Sequence, residues 1–309
     1  MVLLIWYTVY IIMCYFGHEA FCLRPGKEDA VKICIRAHDL GVTGTENILK
    51  SIDAYGIDGV QMVCYKAYED IPQVLGAINA EKAAAIGKAF ADAGKCIPLV
   101  GAYFNCVHSD RAKAAMGQQL FGEYLAHCQA MGCKYVGSET GSYSDDPWVY
   151  HPRNRTEEAH QAVAATFSQL CDVAADHGSI VAMEGASGHV CHDVATLQKV
   201  RKMMGRETKV IFDLFNYLDA ENQGDYLKIL DQGLDTFAGD ILLFHMKDCI
   251  LQNGKAPLQT PFGQGGLDLN AILGRIKAYD KNAVLVLEET VAPNIQHAVD
   301  TIKNTWERV

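Results

Sequence analysis

The chain contains no run of basic residues. Lys and Arg together number 27 against 37 Asp and Glu, a formal net charge of −10. Affinity for a polyphosphate backbone comes mainly from clustered Lys and Arg, so this balance argues against a nucleic-acid partner. Also missing is any CxxC pair. The 11 cysteines (Cys14, Cys22, Cys34, Cys64, Cys96, Cys106, Cys128, Cys133, Cys171, Cys191, Cys249) are scattered and odd in number. That pattern reads as reduced thiols in a cytosol and not as a disulfide framework, so a cytoplasmic protein is expected. No linker, low-complexity tract or shift in composition divides residues 31–309. With 309 residues, half of them hydrophobic, the chain can bury one large core.

Long apolar runs are scarce too, and the one at the N-terminus is ambiguous. Met1 to Phe16 (MVLLIWYTVYIIMCYF) is almost purely apolar, and the first basic side chain is Arg24. A secretory signal needs a positive start and a small-residue cleavage site, and neither is evident. A spanning helix needs about 20 apolar residues, more than this run supplies, so a membrane partner is not expected. Residues 1–30 are therefore set apart as an apolar extension. A mis-set start with Met13 as the true one, a membrane anchor and a packed terminal segment all remain open.

From Val31 onward two periods alternate. Strand-like runs occupy 32–38, 59–65, 97–104, 134–139, 179–185, 209–214, 240–246 and 283–289. Helical patterns lie between them, at 78–94, 111–132 and 157–178 among others, and these three close on Gly94, Gly132 and Gly178, suited to left-handed helix ends. Eight Val/Ile/Leu-rich strands, each buried on both faces and alternating with helices, describe a single-domain (β/α)8 TIM barrel over 31–309. A doubly wound open sheet is the alternative, and the count of eight favours closure.

In such barrels the chemistry sits at the C-terminal ends of the strands. Four runs end there on a metal-ligating side chain: VAMEG at Glu184, VIFDL at Asp213, LLFHMKD at His245 and LVLEE at Glu288, spaced 29, 32 and 43 residues apart. Each interval is roughly one strand-plus-helix unit. Three carboxylates and an imidazole delivered by successive strands suit one divalent cation, Mn first, with Mg, Co or Zn as alternatives. The other strand ends carry His38, Tyr65, Asn105 with His108, Glu139, His189, Asn216 and Lys247. Any one of these alone reads as a solvated loop residue; as a set they argue for a site, because buried charges are costly unless paired or bound to metal.

VAMEGASGH, VIFDLFNYL, FHMKD followed by FGQGGLD, and LVLEET, preceded by GAYFNCVH and YVGSETGS, resemble the xylose isomerase-like TIM barrel superfamily of sugar-phosphate isomerases and epimerases. The resemblance runs from Lys32 to the C-terminus. It implies one divalent metal ion held by Glu184, Asp213, His245 and Glu288, with Glu289 the competitor for the last place. It further implies a small carbohydrate substrate and proton abstraction beside a carbonyl, with Glu184 and Glu288 as the catalytic acid/base pair. Residues His108, Glu139, His189, Asn216 and Lys247 are then expected to bind substrate, Lys247 by stabilising an enediolate oxygen or, in the plainer reading, by pairing with Asp248 or a carboxylate ligand. A homo-oligomer is compatible with all of this.

The same enediolate can lose water, so an inosose dehydratase-like lyase is the alternative activity. An endonuclease IV-like nuclease shares the fold, but it assembles a three-metal cluster from additional histidines, and the position three beyond Asp213 is Asn216. A non-catalytic sugar-binding barrel would need the pocket without metal dependence. The GQGG segment (263–266) lacks the Lys-Ser/Thr of a phosphate loop and reads as a flexible cover over the site or a plain turn. Asp193 reads as the cap of a helix starting near Val194.

Overall fold

The computed structural model describes residues 31–146 and 149–309. The apolar extension 1–30, with Cys14 and Cys22, lies outside the described residues. Ten strands follow in chain order: β1 (Lys32–Arg36), β2 (Gly59–Met62), β3 (Cys96–Gly101), β4 (Tyr135–Glu139), β5 (Ile180–Glu184), β6 (Lys209–Asp213), β7 (Ile241–Met246), β8 (Asp248–Ile250), β9 (Leu258–Thr260) and β10 (Val284–Leu287). Eight of them close into a parallel barrel in the order β1–β10–β7–β6–β5–β4–β3–β2. The other two, β8 and β9, pair antiparallel as a hairpin.

A helix follows each barrel strand. These are α1 (Thr45–Ala54), α2 (Ala80–Asp92), α3 (Arg111–His127), α4 (Glu157–His177), α5 (Val194–Met204), α6 (Tyr226–Thr236), α7 (Leu269–Tyr279) and α8 (Ile295–Arg308). Their starts are written into the sequence. Asn79, Asp110, Thr156, Asp193 and Asp268 each accept a hydrogen bond from a backbone N–H of the first turn, the role expected of Asp193. Gly94, Gly132 and Gly178 adopt φ of 68°, 75° and 65°, a left-handed conformation that costs glycine nothing. The pattern at 111–132 is less uniform than it reads, being α-helical to His127 and a 3-10 turn over Cys128–Met131.

Two cores result. The larger lies between strands and helices, with Phe90, Phe121, Phe167 and Phe212 wholly buried. The smaller fills the barrel with Cys34, Leu99, Ala182, Ile211, Leu243 and Val286. Because side chains on a strand alternate with period two, the inward residues one pleat further on are Arg36, Gln61, Glu139, Glu184, Asp213, His245 and Glu288. An apolar layer thus lies directly beneath a polar one. At β3 the polar layer has Gly101, and the ring of Tyr103 folds into that space. A Cβ at Gly101 would lie 2.7 Å from the Tyr103 ring.

Nine cysteines fall among the described residues, and all are free thiols. Among those residues no helix is long and apolar enough to cross a membrane.

Gly87 on α2 packs against the 3-10 turn, where an added Cβ would lie 2.2 Å from Ala130 O and 2.8 Å from Met131 Cα. Helix propensity alone favours alanine over glycine by about 1 kcal/mol, but the neighbouring atoms are backbone and cannot swing aside. Gly87→Ala is therefore expected to destabilise the fold by about 1–3 kcal/mol, read as a lower thermal midpoint. A higher midpoint would show that the turn yields.

Candidate metal centre

Glu184 and Asp213 close β5 and β6, His245 is the penultimate residue of β7, and Glu288 follows the last residue of β10. Asp213 lies opposite His245 in register, while Glu184 lies opposite Ile211 and His245 opposite Val286. Glu184 and Glu288 are thus each staggered by two residues from their neighbours in the cluster. All four are buried, and one donor atom from each lies within 4.8 Å of the others. His245 Nδ1 is 2.6 Å from Glu288 Oε2, 3.2 Å from Glu184 Oε1 and 3.7 Å from Asp213 Oδ2. Glu288 faces the other three residues, whereas Glu289 is turned away from them by the backbone. Glu289 has φ of 52°, its N–H donates to Asp39 Oδ2 at 2.8 Å, and its side chain is exposed.

The donor set fits a divalent cation. Asp213 Oδ2 and Glu288 Oε2 are buried and receive no hydrogen bond, although both lie within ion-pair reach of a cationic side chain. Two buried oxygens with unused lone pairs, beside a third carboxylate and an imidazole nitrogen, are what a cation of the Mn, Mg, Co or Zn kind requires.

Three cations compensate the three carboxylates. Lys247 Nζ lies 3.0 Å from Asp213 Oδ2 and 3.2 Å from Glu288 Oε1 and donates to Asn216 Oδ1 at 3.0 Å. Lys247 is thus paired with two carboxylates of the cluster. Arg36 donates to Glu288 Oε1 at 2.7 Å, while its other nitrogens bind both oxygens of Asp39. His245 is the third. Burial alone would lower its pKa, but Glu288 and Glu184 hold it well above the ordinary histidine value. Glu288 is buried as well, which by itself raises a carboxyl, yet His245, Lys247 and Arg36 hold it well below the usual range. For Glu184 burial prevails and the pKa is raised.

The remaining expected residues divide. Asn216 touches the cluster, its side-chain N–H donating to Glu184 Oε1 at 2.8 Å and its backbone N–H to Asp213 Oδ1 at 3.1 Å. Glu139 stands opposite Glu184 in the β4–β5 register, and burial followed by the charges of Glu184 and Glu288 pushes it up to about 8. His108 is held in its own loop, where Nδ1 accepts from Asp110 N at 2.9 Å and lies 3.4 Å from Asp145. His189 is fully buried in the turn after β5, and burial lowers its pKa to about 4. Asp248 organises the loop beyond the hairpin, accepting from Gly263 N at 3.1 Å and Gly265 N at 2.8 Å. The GQGG segment is thus a turn pinned to a buried carboxylate. Tyr65 lies beyond the end of β2, in the one-turn helix Cys64–Ala67.

Sequence reasoning missed Arg36, Asp39, Gln61 and Tyr103. Gln61 is wholly buried on β2, its Oε1 is 2.7 Å from His245 Nε2, and its amide donates to Tyr103 Oη at 2.6 Å. The available signal was a polar residue inside the apolar run GVQM, since a buried amide must find partners.

The chain matches the model of the xylose isomerase-like TIM barrel over residues 49–305. No curated protein matches its sequence. Among solved structures it is similar to a xylose isomerase domain protein from Planctomyces limnophilus, at 16% identity and a TM-score of 0.68, covering 90% of this chain and 97% of that one. It is also similar to the apo form of a 3-keto-D-glucoside 4-epimerase from E. coli, at 14% identity and a TM-score of 0.66, covering 89% and 99%. A third is the IOLI protein with a bound zinc atom, at 18% identity and a TM-score of 0.65, covering 89% and 96%. At these identities the likeness is one of fold.

A pH dependence follows from His245. With its folded pKa above the unfolded value, it stabilises the metal-free fold fully below about pH 6.5, and that contribution is lost as pH rises through the folded pKa. A cation needs the unprotonated nitrogen, so binding must expel a proton and apparent affinity must rise with pH. Calorimetric titration with Zn or Mn at pH 7 in buffers of different ionisation enthalpy is expected to show net proton release. Uptake, or affinity falling with pH, would contradict this charge arrangement.

Proposed function

The chain belongs to the xylose isomerase-like TIM barrel family, and we propose that it is a divalent-metal-dependent isomerase or epimerase of a small sugar or sugar derivative. The observation that carries this reading is the convergence of Glu184, Asp213, His245 and Glu288 at the C-terminal mouth of the barrel, donor atoms within 4.8 Å of one another. These four side chains are the proposed ligands of one ion, with Mn the expected metal and Mg, Co or Zn the alternatives. A divalent cation bound there supplies Lewis-acid polarisation of a carbonyl, which acidifies the neighbouring carbon. The fold's resemblance to a sugar epimerase and to a zinc-containing protein supports the same assignment.

The chain's own residues divide the proton work. Glu184 and Glu288 come from strands three apart around the barrel, with β6 and β7 between them, so they can flank a substrate. Burial raises Glu184, which suits it to hold the abstracted proton. Glu288 shares its Oε1 with Arg36 and Lys247, and these cations keep it ionised as the opposing acceptor. Lys247 and Asn216 are proposed to bind substrate oxygens and to offset negative charge as the enediolate develops. Glu139 stands beside Glu184 as a partner for a substrate hydroxyl. His108 and His189 complete the proposed substrate-binding set from the loops after β3 and β5. Return of the proton to the opposite face gives an epimer, return to the neighbouring carbon an isomer, and loss of a β-hydroxyl a dehydrated product.

Chelation is expected to abolish solvent-deuterium exchange at the α-carbon of a ketose or inosose, and re-addition of Mn to restore it. Glu184→Gln and Glu288→Gln keep the shape and remove basicity, so each is expected to slow exchange about 10²–10⁴-fold. Near-native exchange in Glu184→Gln with metal still bound would make Glu184 a ligand only.

A further inference from the structure

We propose that Gln61 is the positioning residue that fixes the tautomer of His245 and thereby aims Nδ1 at the metal; the inference rests on the metal reading above. An imidazole can ligate through only one nitrogen at a time, and which one is set by the hydrogen bond of the other. In this barrel the two nitrogens face different chemistry. Nδ1 points at three carboxylates, with Glu288 Oε2 at 2.6 Å and Glu184 Oε1 at 3.2 Å. Nε2 points at a single neutral acceptor, Gln61 Oε1, at 2.7 Å. An acceptor in that position keeps the proton on Nε2, so the proton that leaves on metal binding is the one on Nδ1.

The amide of Gln61 is itself held. Its N–H donates to Tyr103 Oη at 2.6 Å, and Tyr103 is seated in the space that Gly101 leaves open. In this orientation the amide oxygen is the end that faces His245; a flipped amide would set its own donor against the N–H of Nε2, so the amide's orientation and the proton on Nε2 go together. Gln61 and His245 lie three strands apart around the barrel, with β1 and β10 between β2 and β7 along the shorter path. Gln61 is 0% exposed in a layer where every other ring-facing group is charged or aromatic. A buried amide reaching across a barrel costs free energy unless both its ends are used, and here both are.

The test uses wild type, Gln61→Met and Gln61→Glu. Methionine keeps the volume and removes the acceptor; glutamate keeps the acceptor and strengthens it. Zn affinity is read by chelator competition, and the His245 ring protons by ¹⁵N NMR of the Zn-loaded protein. Expected in wild type is a slowly exchanging proton on Nε2, with Nδ1 bearing none. Gln61→Met is expected to weaken Zn binding about 10–100-fold and to lose that slow exchange. Because it also leaves the buried Nε2–H and the Tyr103 hydroxyl without a partner, the metal-free protein is expected to melt at a lower temperature as well. Zn affinity and the ring protons are the deciding readouts. Gln61→Glu is expected to bind Zn as tightly as wild type or more tightly and to retain the Nε2 proton. A proton on Nδ1 in loaded wild type overturns the proposal, as does unchanged affinity in Gln61→Met. Should Gln61→Met fail to fold, Gln61→Glu decides, and a tenfold weaker affinity there overturns it. Absence of any Zn or Mn binding by wild type would instead overturn the metal reading, and this inference with it.

Discussion

Three carboxylates cannot occupy a dry space a few ångströms wide unless positive charge sits among them. That constraint organises the upper half of this barrel. Glu184, Asp213 and Glu288 are each at most 9% exposed, and at such separations their mutual repulsion in a poorly polarisable interior is large. Lys247, Arg36 and a histidine held in its charged form answer it. Deleting one partner from a buried ion pair typically costs about 3–5 kcal/mol, because the remaining charge has nowhere to go. The cluster is accordingly a unit, and each member's protonation is set by the others.

The compensation is unevenly distributed, and the unevenness has chemical content. Glu288 Oε1 takes both Arg36 and Lys247, whereas Glu184 Oε1 takes the neutral amide of Asn216 and one nitrogen of His245. Two carboxylates of the same type are thereby pushed in opposite directions, one toward holding a proton and the other away from it. The same division extends to the backbone. Asp39, which anchors Arg36, also receives the N–H of Glu289 and so turns the chain outward directly after Glu288.

Much of this was legible in the sequence because strand ends are local objects. An apolar run that stops on Glu, Asp or His announces both the strand and the side chain at its mouth, and Glu184, Asp213, His245 and Glu288 all follow that form. The cap at Asp193 and the helix-ending glycines Gly94, Gly132 and Gly178 were legible for the same reason. What stayed hidden depends on contacts between distant parts of the chain. Arg36 and Glu288 are 252 residues apart, and Gln61 and His245 are 184 apart. Arg36 reads as an ordinary polar residue at the end of a strand, and Gln61 as a blemish in an apolar one. Tyr103 becomes visible only once Gly101 is seen to leave room for its ring. The hairpin of β8 and β9 was missed because three-residue strands in a loop carry too little alternation to detect.

The apolar layer of Cys34, Leu99, Ala182, Ile211, Leu243 and Val286 sits one pleat below the charged cluster and is packed, not porous. It works as a floor. Among the described residues this layer closes the barrel beneath the cluster, so the way in and the way out both lie at the barrel's C-terminal end. Under the proposed function, product and incoming substrate share that one doorway and cannot queue in file. For an enzyme so built, turnover is one-in, one-out, and a product that lingers competes with the next substrate for the site.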